Sequence, residues 1–358
     1  MKIISIETNS WLSQLFVFLA LGCCLLFITA CYPKEAIRLS GPIMGTQYNI
    51  TIACKADKSE KQWRTELLPV MQAVNQTMST YISNSELSLF NQSRNTDFQP
   101  ISSSMVDVFS AARRVSEETN GAFDVTVMPL VNLWGFGPQK NHHLQTITIP
   151  TQEQLNRIAE IVGFEKLELD KSFTSWKKSH QDVSVDFSGI AKGYAVDQVS
   201  TKLFELGCND HLVDIGGELR ASGKKVDGTS WRLAVEKPSI SGGIQAVINI
   251  SEMSVASSGD YRNFYTHNGK RFSHTIDPRT LKPIEHNLAS VTVLDPIASR
   301  ADALATAFMV MGNEALDFAE VNDIPAYFIF RSPELSSESQ DQFQTFYSDA
   351  FEKFLVEQ

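Results

Sequence analysis

Cysteine is scarce in this chain: there are five, and Cys23, Cys24 and Cys31 fall in the first thirty-one positions. Only Cys54 and Cys208 remain in the body, without local pattern. Thiolate metal clusters are therefore excluded, and two states stay open for the pair, one disulfide or two buried thiols. Basic charge is also short, with Lys and Arg numbering 31 against 41 Asp and Glu, for a net charge of −10. Nucleic acid is disfavoured as a partner for such a chain. Neither GxxxxGK[ST] nor GxGxxG occurs, which removes the P-loop and the dinucleotide fingerprint. No repeat of fixed period and no long Pro/Ser linker divides the middle, so the roughly 320 residues after the leader read as one intertwined domain over 41–358.

The first thirty-one residues stand apart from that domain. Lys2 gives a weakly basic start, Leu15 to Ala30 is almost unbroken apolar sequence, and Ile28-Thr29-Ala30-Cys31 closes it. This reads as a lipoprotein-type secretory signal over 1–30, with Cys31 the residue that is diacylated after cleavage and 31–40 an anchor and linker. A single transmembrane anchor is the alternative, the apolar stretch being just short of the ~20 residues that span a bilayer. Both readings export the remainder. Loss of the leader removes Lys2 and Glu7 together and leaves the net charge unchanged.

Strand-like alternation marks Gly45 to Ile52, Asp182 to Phe187, His211 to Ile215, Trp231 to Val235, Ile244 to Ile250, Ser290 to Leu294 and Ala326 to Phe330. Helical spacing marks Glu60 to Met78, Ser102 to Thr119, Thr151 to Val162, Ile190 to Leu206 and the Ala-rich run from Ala301 to Gly312. The elements mix without a strict βαβ rhythm, which predicts an α+β fold. The polar stretch Ser332 to Gln344 reads as a surface loop before a last strand or short helix.

Asp302 and Thr306, four residues apart on the Ala-rich helix, place two oxygens on one face, where a hard cation could sit. An acid inside an apolar stripe is costly unless paired or metal-bound. Ser188-Gly189, between a strand-like segment and a helix, leaves backbone groups open to a phosphate or a metal, although a plain tight turn is the commoner meaning of such a glycine. Asp124 lies among apolar and turn residues, as a cap or as a ligand. Of seven histidines, His274 stands out, because it follows Arg271-Phe272-Ser273 and precedes the turn Asp277-Pro278.

These segments occur in order as MGTQYNI at Met44, STYISNSELSLFN at Ser79, GAFDVTVMPLVNLWGFGP at Gly121, VDFSGIAKGYAVD at Val185 and LVDIGGELRASG at Leu212. They continue as ASSGDYRNFY at Ala256, GKRFSHTIDPRT at Gly269, SVTV at Ser290 and ADALATAFMVMG at Ala301. Taken together they resemble the ApbE family, the FAD:protein FMN transferases of bacterial envelopes. The resemblance implies a T-fold-like domain of largely antiparallel sheets with packed helices. It implies cleavage of FAD at its pyrophosphate, transfer of the FMN half through a phosphodiester to a Thr or Ser hydroxyl of an acceptor protein, and release of AMP. Acceptors would be redox subunits of the Nqr or Rnf type.

By position, the resemblance assigns Gly189, Asp302 and Thr306 to a Mg²⁺ ion. It assigns Met44, Tyr81, Ile82, Ser83, Ala122, Phe123, Asp124, Lys192 and Ile276 to FAD. His274 is the candidate base for the acceptor hydroxyl, with Asp277 or Asp260 to orient it. The family places such enzymes on the periplasmic side of the inner membrane; the outer membrane is the alternative, because Tyr32 rather than Asp follows Cys31. Leu281 stands where the family usually has Gly, so a left-handed backbone there would be strained or the loop would turn differently. An FAD pyrophosphatase and a non-catalytic flavin-binding lipoprotein are the competing readings.

Overall fold

The computed structural model describes residues 35–54, 58–137, 149–239, 241–261, 263–332 and 342–356. The leader, Cys31 and most of the polar stretch after Ser332 lie outside them. The first strands are β1 (Ile37–Ile43) and β2 (Thr46–Ile52), followed by α1 (Glu60–Met78), α2 (Glu86–Gln92), β3 (Gln99–Pro100), α3 (Ser103–Glu118), α4 (Met128–Leu133) and α5 (Gln152–Ala159). Next come β4 (Leu167–Leu169), β5 (Ser175–Lys178), α6 (Ala191–Glu205), β6 (His211–Ile215), β7 (Glu218–Ser222), β8 (Trp231–Glu236), β9 (Ile244–Ile250) and β10 (Met253–Gly259). The chain continues through β11 (Phe264–His267), β12 (Lys270–Ser273), β13 (Ile276–Asp277), β14 (Lys282–Pro283) and β15 (Leu288–Asp295). It closes with α7 (Ala298–Met311), α8 (Glu314–Val321), β16 (Ala326–Arg331), β17 (Phe343–Tyr347) and α9 (Asp349–Glu352).

Eight strands form the central sheet in the order β1-β2-β6-β7-β10-β15-β16-β17. Every neighbouring pair in it is antiparallel, so the α+β expectation holds. One face packs on α1, α6 and α7, where Trp63, Leu67, Val199, Leu304 and Phe308 meet Val213, Ile215, Val291 and Val293. The other face, with Ala221, Leu294 and Ile329, is covered by the β8–β9 hairpin and Phe351 of α9. Burial on both faces explains why β15 reads as near-continuous apolar sequence.

Three expectations are corrected. A strand precedes the one expected at Gly45: β1 runs through residues expected to be linker, and it pairs with β2 across a two-residue hairpin at Met44 and Gly45, both with positive φ. The type I′ twist matches the strands, which is why the pair forms despite Met at a position that favours Asn or Gly. Asp182 to Phe187 alternates like a strand yet joins no sheet. Its backbone is satisfied elsewhere: Val185 exchanges two 2.8 Å hydrogen bonds with the Asn91 side chain, and the Asp186 amide donates to the Val125 carbonyl. The Ala-rich helix starts three residues earlier than expected, at Ala298, because its cap lies on another helix. Asp197 of α6 accepts from the Ala298 and Ser299 amides at 2.8 and 2.9 Å.

Gly193 lets α6 approach that helix. A Cβ there would lie 2.3 Å from the Ala298 carbonyl oxygen. Gly193→Ala is therefore expected to destabilise the fold by about 2–3 kcal/mol, read as a lower urea midpoint with unchanged slope.

His211 is wholly buried in β6, one ring nitrogen 2.8 Å from Ser200 Oγ and the other 3.1 Å from the Cys208 carbonyl oxygen. Burial pushes its pKa down to about 4 from 6.5. The unfolded chain binds this proton first as pH falls, so stability present above pH 6.5 is lost toward pH 4, by up to about 3 kcal/mol. Urea unfolding at about pH 7 and about pH 4.5 checks this: His211→Gln should lose correspondingly less than the wild type.

Candidate active site

One cleft, with a cavity volume of about 430 Å³, gathers most of the expected residues. Tyr81, Ala122, Phe123, Asp124, Gly189, Lys192, His274, Ile276, Asp302 and Thr306 all line it. Met44, Ile82, Ser83 and Asp277 do not. Met44 sits at the β1–β2 hairpin tip with φ 48°. That hairpin contacts the Gly216 turn beside Lys192, since a Cβ on Gly216 would lie 2.7 Å from Thr46 Cγ2 and 3.3 Å from Lys192 Cδ. The Ile82 amide is bonded to Ser79 Oγ and the Ser83 carbonyl to Gln92 Nε2, so both shape the loop that presents Tyr81. Tyr81 itself is 78% exposed at the mouth, available for stacking on an aromatic ligand.

The helical spacing of Asp302 and Thr306 places both on the cleft side of α7. Gly189 faces them across the cleft floor: a Cβ on it would stand 2.9 Å from Thr306 Oγ1 and 3.2 Å from Phe123 Cε2, so a side chain is excluded there. Asp302 Oδ2 accepts from the Gly193 amide at 3.0 Å, and Oδ1 lies 3.9 Å from Lys192 Nζ. Lys192 Nζ is closer to Glu218 Oε1, at 2.5 Å. Glu218 Oε2 is buried with no hydrogen-bond partner among the described residues.

Two acids of this wall were not anticipated, Asp186 and Glu218. Asp186 accepts from the Ser188 amide at 2.8 Å and from Ser188 Oγ at 2.5 Å. The available signals were an acid alternating with Val183, Val185 and Phe187, and a Glu directly after the Gly216-Gly217 pair. Burial works to raise the pKa of Asp186, Glu218 and Asp302, and the Lys192 ammonium opposes it at the last two. For Lys192, burial works to lower the pKa, but Asp302 and Glu218 outweigh it and the net shift is upward. Two of these carboxyl groups, Glu218 and Asp302, thus flank one ammonium in a poorly solvated cleft. Charge of that kind is met either by protons or by a cation.

Among the described residues, no group of three or more His, Cys, Asp or Glu could hold a metal ion. The Asp302 carboxylate and the Thr306 hydroxyl line the cleft together, with the Gly189 backbone beside Thr306, and the side-chain donors are hard oxygens. Together with the excess of negative charge they fit a magnesium-like divalent cation and not zinc.

Asp124 behaves as a cap. Its Oδ1 accepts from the Thr126 amide and hydroxyl at 2.7 and 2.6 Å, and Oδ2 from the Phe164 amide at 2.8 Å. Burial, opposed by these bonds, leaves its pKa at about 6.

His274 follows β12 on the opposite wall. An aromatic stack supports it, with Phe136 edge-on to its ring at 6.4 Å and Tyr265 stacked on both Phe136 and Phe272. Its Nδ1 lies 2.9 Å from the Asn263 carbonyl oxygen. A carbonyl only accepts, so Nδ1 carries the proton and Nε2 is the basic nitrogen of the neutral ring. The orienting role expected of Asp277 or Asp260 is thus taken by a backbone carbonyl. Asp277 gives both oxygens to Arg279, at 3.0 Å each, and Asp260 is held by Arg271 and Arg331. Leu281 adopts φ 63°, so the turn keeps the left-handed shape that the family's Gly would take. Its side chain packs in the cluster around Trp134 and Phe272, and its carbonyl accepts from Trp134 Nε1 at 3.0 Å. These contacts offset a strain of roughly 1–2 kcal/mol.

The chain is similar to known proteins over most of its length. An FAD:protein FMN transferase of Haemophilus influenzae is 43% identical over 342 residues, covering 92% of this chain and 94% of that protein. Another, from Vibrio cholerae, is 42% identical and covers 92% of this chain and 96% of its own length. Among solved structures, the flavin transferase ApbE from Vibrio cholerae superposes with a TM-score of 0.79 at 40% identity, covering 90% of this chain and 99% of that one. The apo form of Pseudomonas stutzeri flavinyl transferase ApbE gives 0.80 at 34% identity, covering 89% and 96%. The ApbE family profile matches residues 44–328, which include every described element that lines the cleft, and the chain belongs to the ApbE family.

Proposed function

We propose that this chain is an FAD:protein FMN transferase that moves the FMN half of FAD onto a Thr or Ser hydroxyl of an acceptor protein. The observation that carries the reading is that the oxygen group of Gly189, Asp302 and Thr306 shares one cleft with His274. A phosphoryl-type transfer needs charge neutralised at the diphosphate and a proton taken from the attacking hydroxyl. In the proposed step the acceptor oxygen forms a bond to the FMN phosphorus, the bond from that phosphorus to the bridging oxygen breaks, and AMP leaves. The hydroxyl proton passes to His274 Nε2, the ring nitrogen left without a proton by the Nδ1 contact with Asn263. Lys192 supplies a point charge to phosphate oxygens. Tyr81 stacks on a ring of the dinucleotide, and Ala122, Phe123 and Ile276 give it apolar contact.

Gly189, Asp302 and Thr306 would hold Mg²⁺, which supplies Lewis-acid neutralisation of the diphosphate. Acceptors of the Nqr or Rnf type, lipid attachment through Cys31 and a periplasmic position at the inner membrane complete the proposal. Support for export comes from the disulfide between Cys54 and Cys208, a bond that persists in oxidising compartments.

The test is incubation of the purified chain with FAD, Mg²⁺ and a Thr-bearing acceptor domain, followed by mass spectrometry. An adduct of one FMN per acceptor, with stoichiometric AMP, is expected. Steady AMP release from FAD alone, unaffected by acceptor, would identify a pyrophosphatase instead. No AMP under either condition would leave a flavin-binding protein without catalysis.

A further inference from the structure

Lys192 stands between two buried carboxylates and is not shared equally. Its ammonium lies 2.5 Å from Glu218 Oε1 and 3.9 Å from Asp302 Oδ1. Glu218 is 3% exposed and lines the cleft, and its Oε2 is buried with no hydrogen-bond partner among the described residues. An ion pair kept only for the fold would satisfy both oxygens. Here one oxygen of the carboxylate is left without a partner, while the other lies against the lysine and draws it away from Asp302.

Asp302 is correspondingly underused. Oδ2 is bonded to the Gly193 amide, but among the described residues Oδ1 has only the distant ammonium. A buried carboxylate with a cation one short side-chain movement away would close onto it as a direct ion pair, were nothing pulling the other way. That pair would occupy the oxygen expected to meet the divalent cation.

We propose that Glu218 is a positioning residue that keeps the cation site open, by holding the Lys192 ammonium off Asp302 Oδ1. The arrangement has two consequences. Lys192 remains beside the cleft as a fixed charge for the diphosphate, and Asp302 keeps an oxygen for the metal. Glu218 reaches this position because it opens β7 directly after the Gly216-Gly217 turn, whose first glycine packs against both Thr46 and Lys192. This inference rests on the transferase reading of the same cleft.

Mn²⁺ serves as probe, with the free ion counted by electron paramagnetic resonance during titration of the purified chain, with and without FAD. Glu218→Gln keeps the side chain's shape but loses the pull on Lys192, and it is expected to weaken Mn²⁺ binding by roughly tenfold or more. Lys192→Met alone should tighten binding. In the Lys192→Met background, Glu218→Gln should change the affinity less than about threefold, because there is no ammonium left to release. Glu218→Asp, one methylene short, should fall between the wild type and Glu218→Gln, and it replaces the latter should that variant misfold. An affinity for Glu218→Gln within about twofold of wild type, or an equal loss in both backgrounds, would overturn the proposal. Wild-type protein that takes up no Mn²⁺ even with FAD would overturn the cation part of the transferase reading, and this inference with it. Normal uptake with a failed Glu218 comparison would overturn this inference alone.

Discussion

Asp302→Ala is expected to lower FMN transfer at saturating FAD and Mg²⁺ by at least about a hundredfold, roughly 3 kcal/mol of barrier. The prediction is sharp because activity and stability should separate. Asp302 is a buried carboxylate whose pKa burial raises, and buried charge of this kind does little for a fold. Its replacement leaves the Gly193 amide without an acceptor, but it also removes one of two acids crowded around Lys192, which keeps Glu218. The urea midpoint should therefore move little. Thr306→Ala should lose less, since a neutral hydroxyl contributes less to a divalent cation than a carboxylate does. Transfer by Asp302→Ala at the wild-type rate, including in chelator, would sink the cation-assisted reading of the cleft.

A second large effect is expected from the bridge between Cys54 and Cys208, whose Cα atoms lie 5.3 Å apart at a sequence separation of 154. Closing so long a loop restricts the unfolded chain strongly, and the double variant Cys54→Ala/Cys208→Ala should lose about 4–5 kcal/mol. The folded state should change little, because the two ends are already registered by other bonds. The strand β2 pairs with β6, and the Ala53 amide donates to the Asp210 carbonyl at 2.8 Å. Urea unfolding of the oxidised wild type, the reduced wild type and the double variant measures this. The last two should agree within about 1 kcal/mol. Equal stability of all three would show that the unfolded chain is not restrained by the bridge.

How much of this was legible beforehand depends on how local each cause is. The helices at Glu60 and Ser103 were readable because caps and apolar spacing lie within each segment: Ser59 and Gln62 form a capping box, and Ser102 caps through the Met105 amide. Asp182 to Phe187 was misread because alternation reports burial of Val183, Val185 and Phe187 correctly but says nothing about who satisfies the backbone. Asn91, far upstream, does so. Asp277 was assigned to His274 because both lie in one short motif. Arg279, two residues further on, competes for the same carboxylate at closer range and takes both oxygens.

Sequence alone determined the α+β class, the resemblance to the ApbE family and the convergence of Asp302 with Thr306, since a helix repeat and an ordered set of motifs are written along the chain. Tertiary structure alone decided the pairing of Cys54 with Cys208, the tautomer of His274 and the place of Lys192 between Glu218 and Asp302. Those depend on which distant segments meet, through the β2–β6 register, the β12 exit and the close crossing of α6 and α7 at Gly193. Electrostatics in a buried cleft is set by such meetings, because a carboxylate's charge and partner are decided by the groups packed against it and not by its neighbours in sequence.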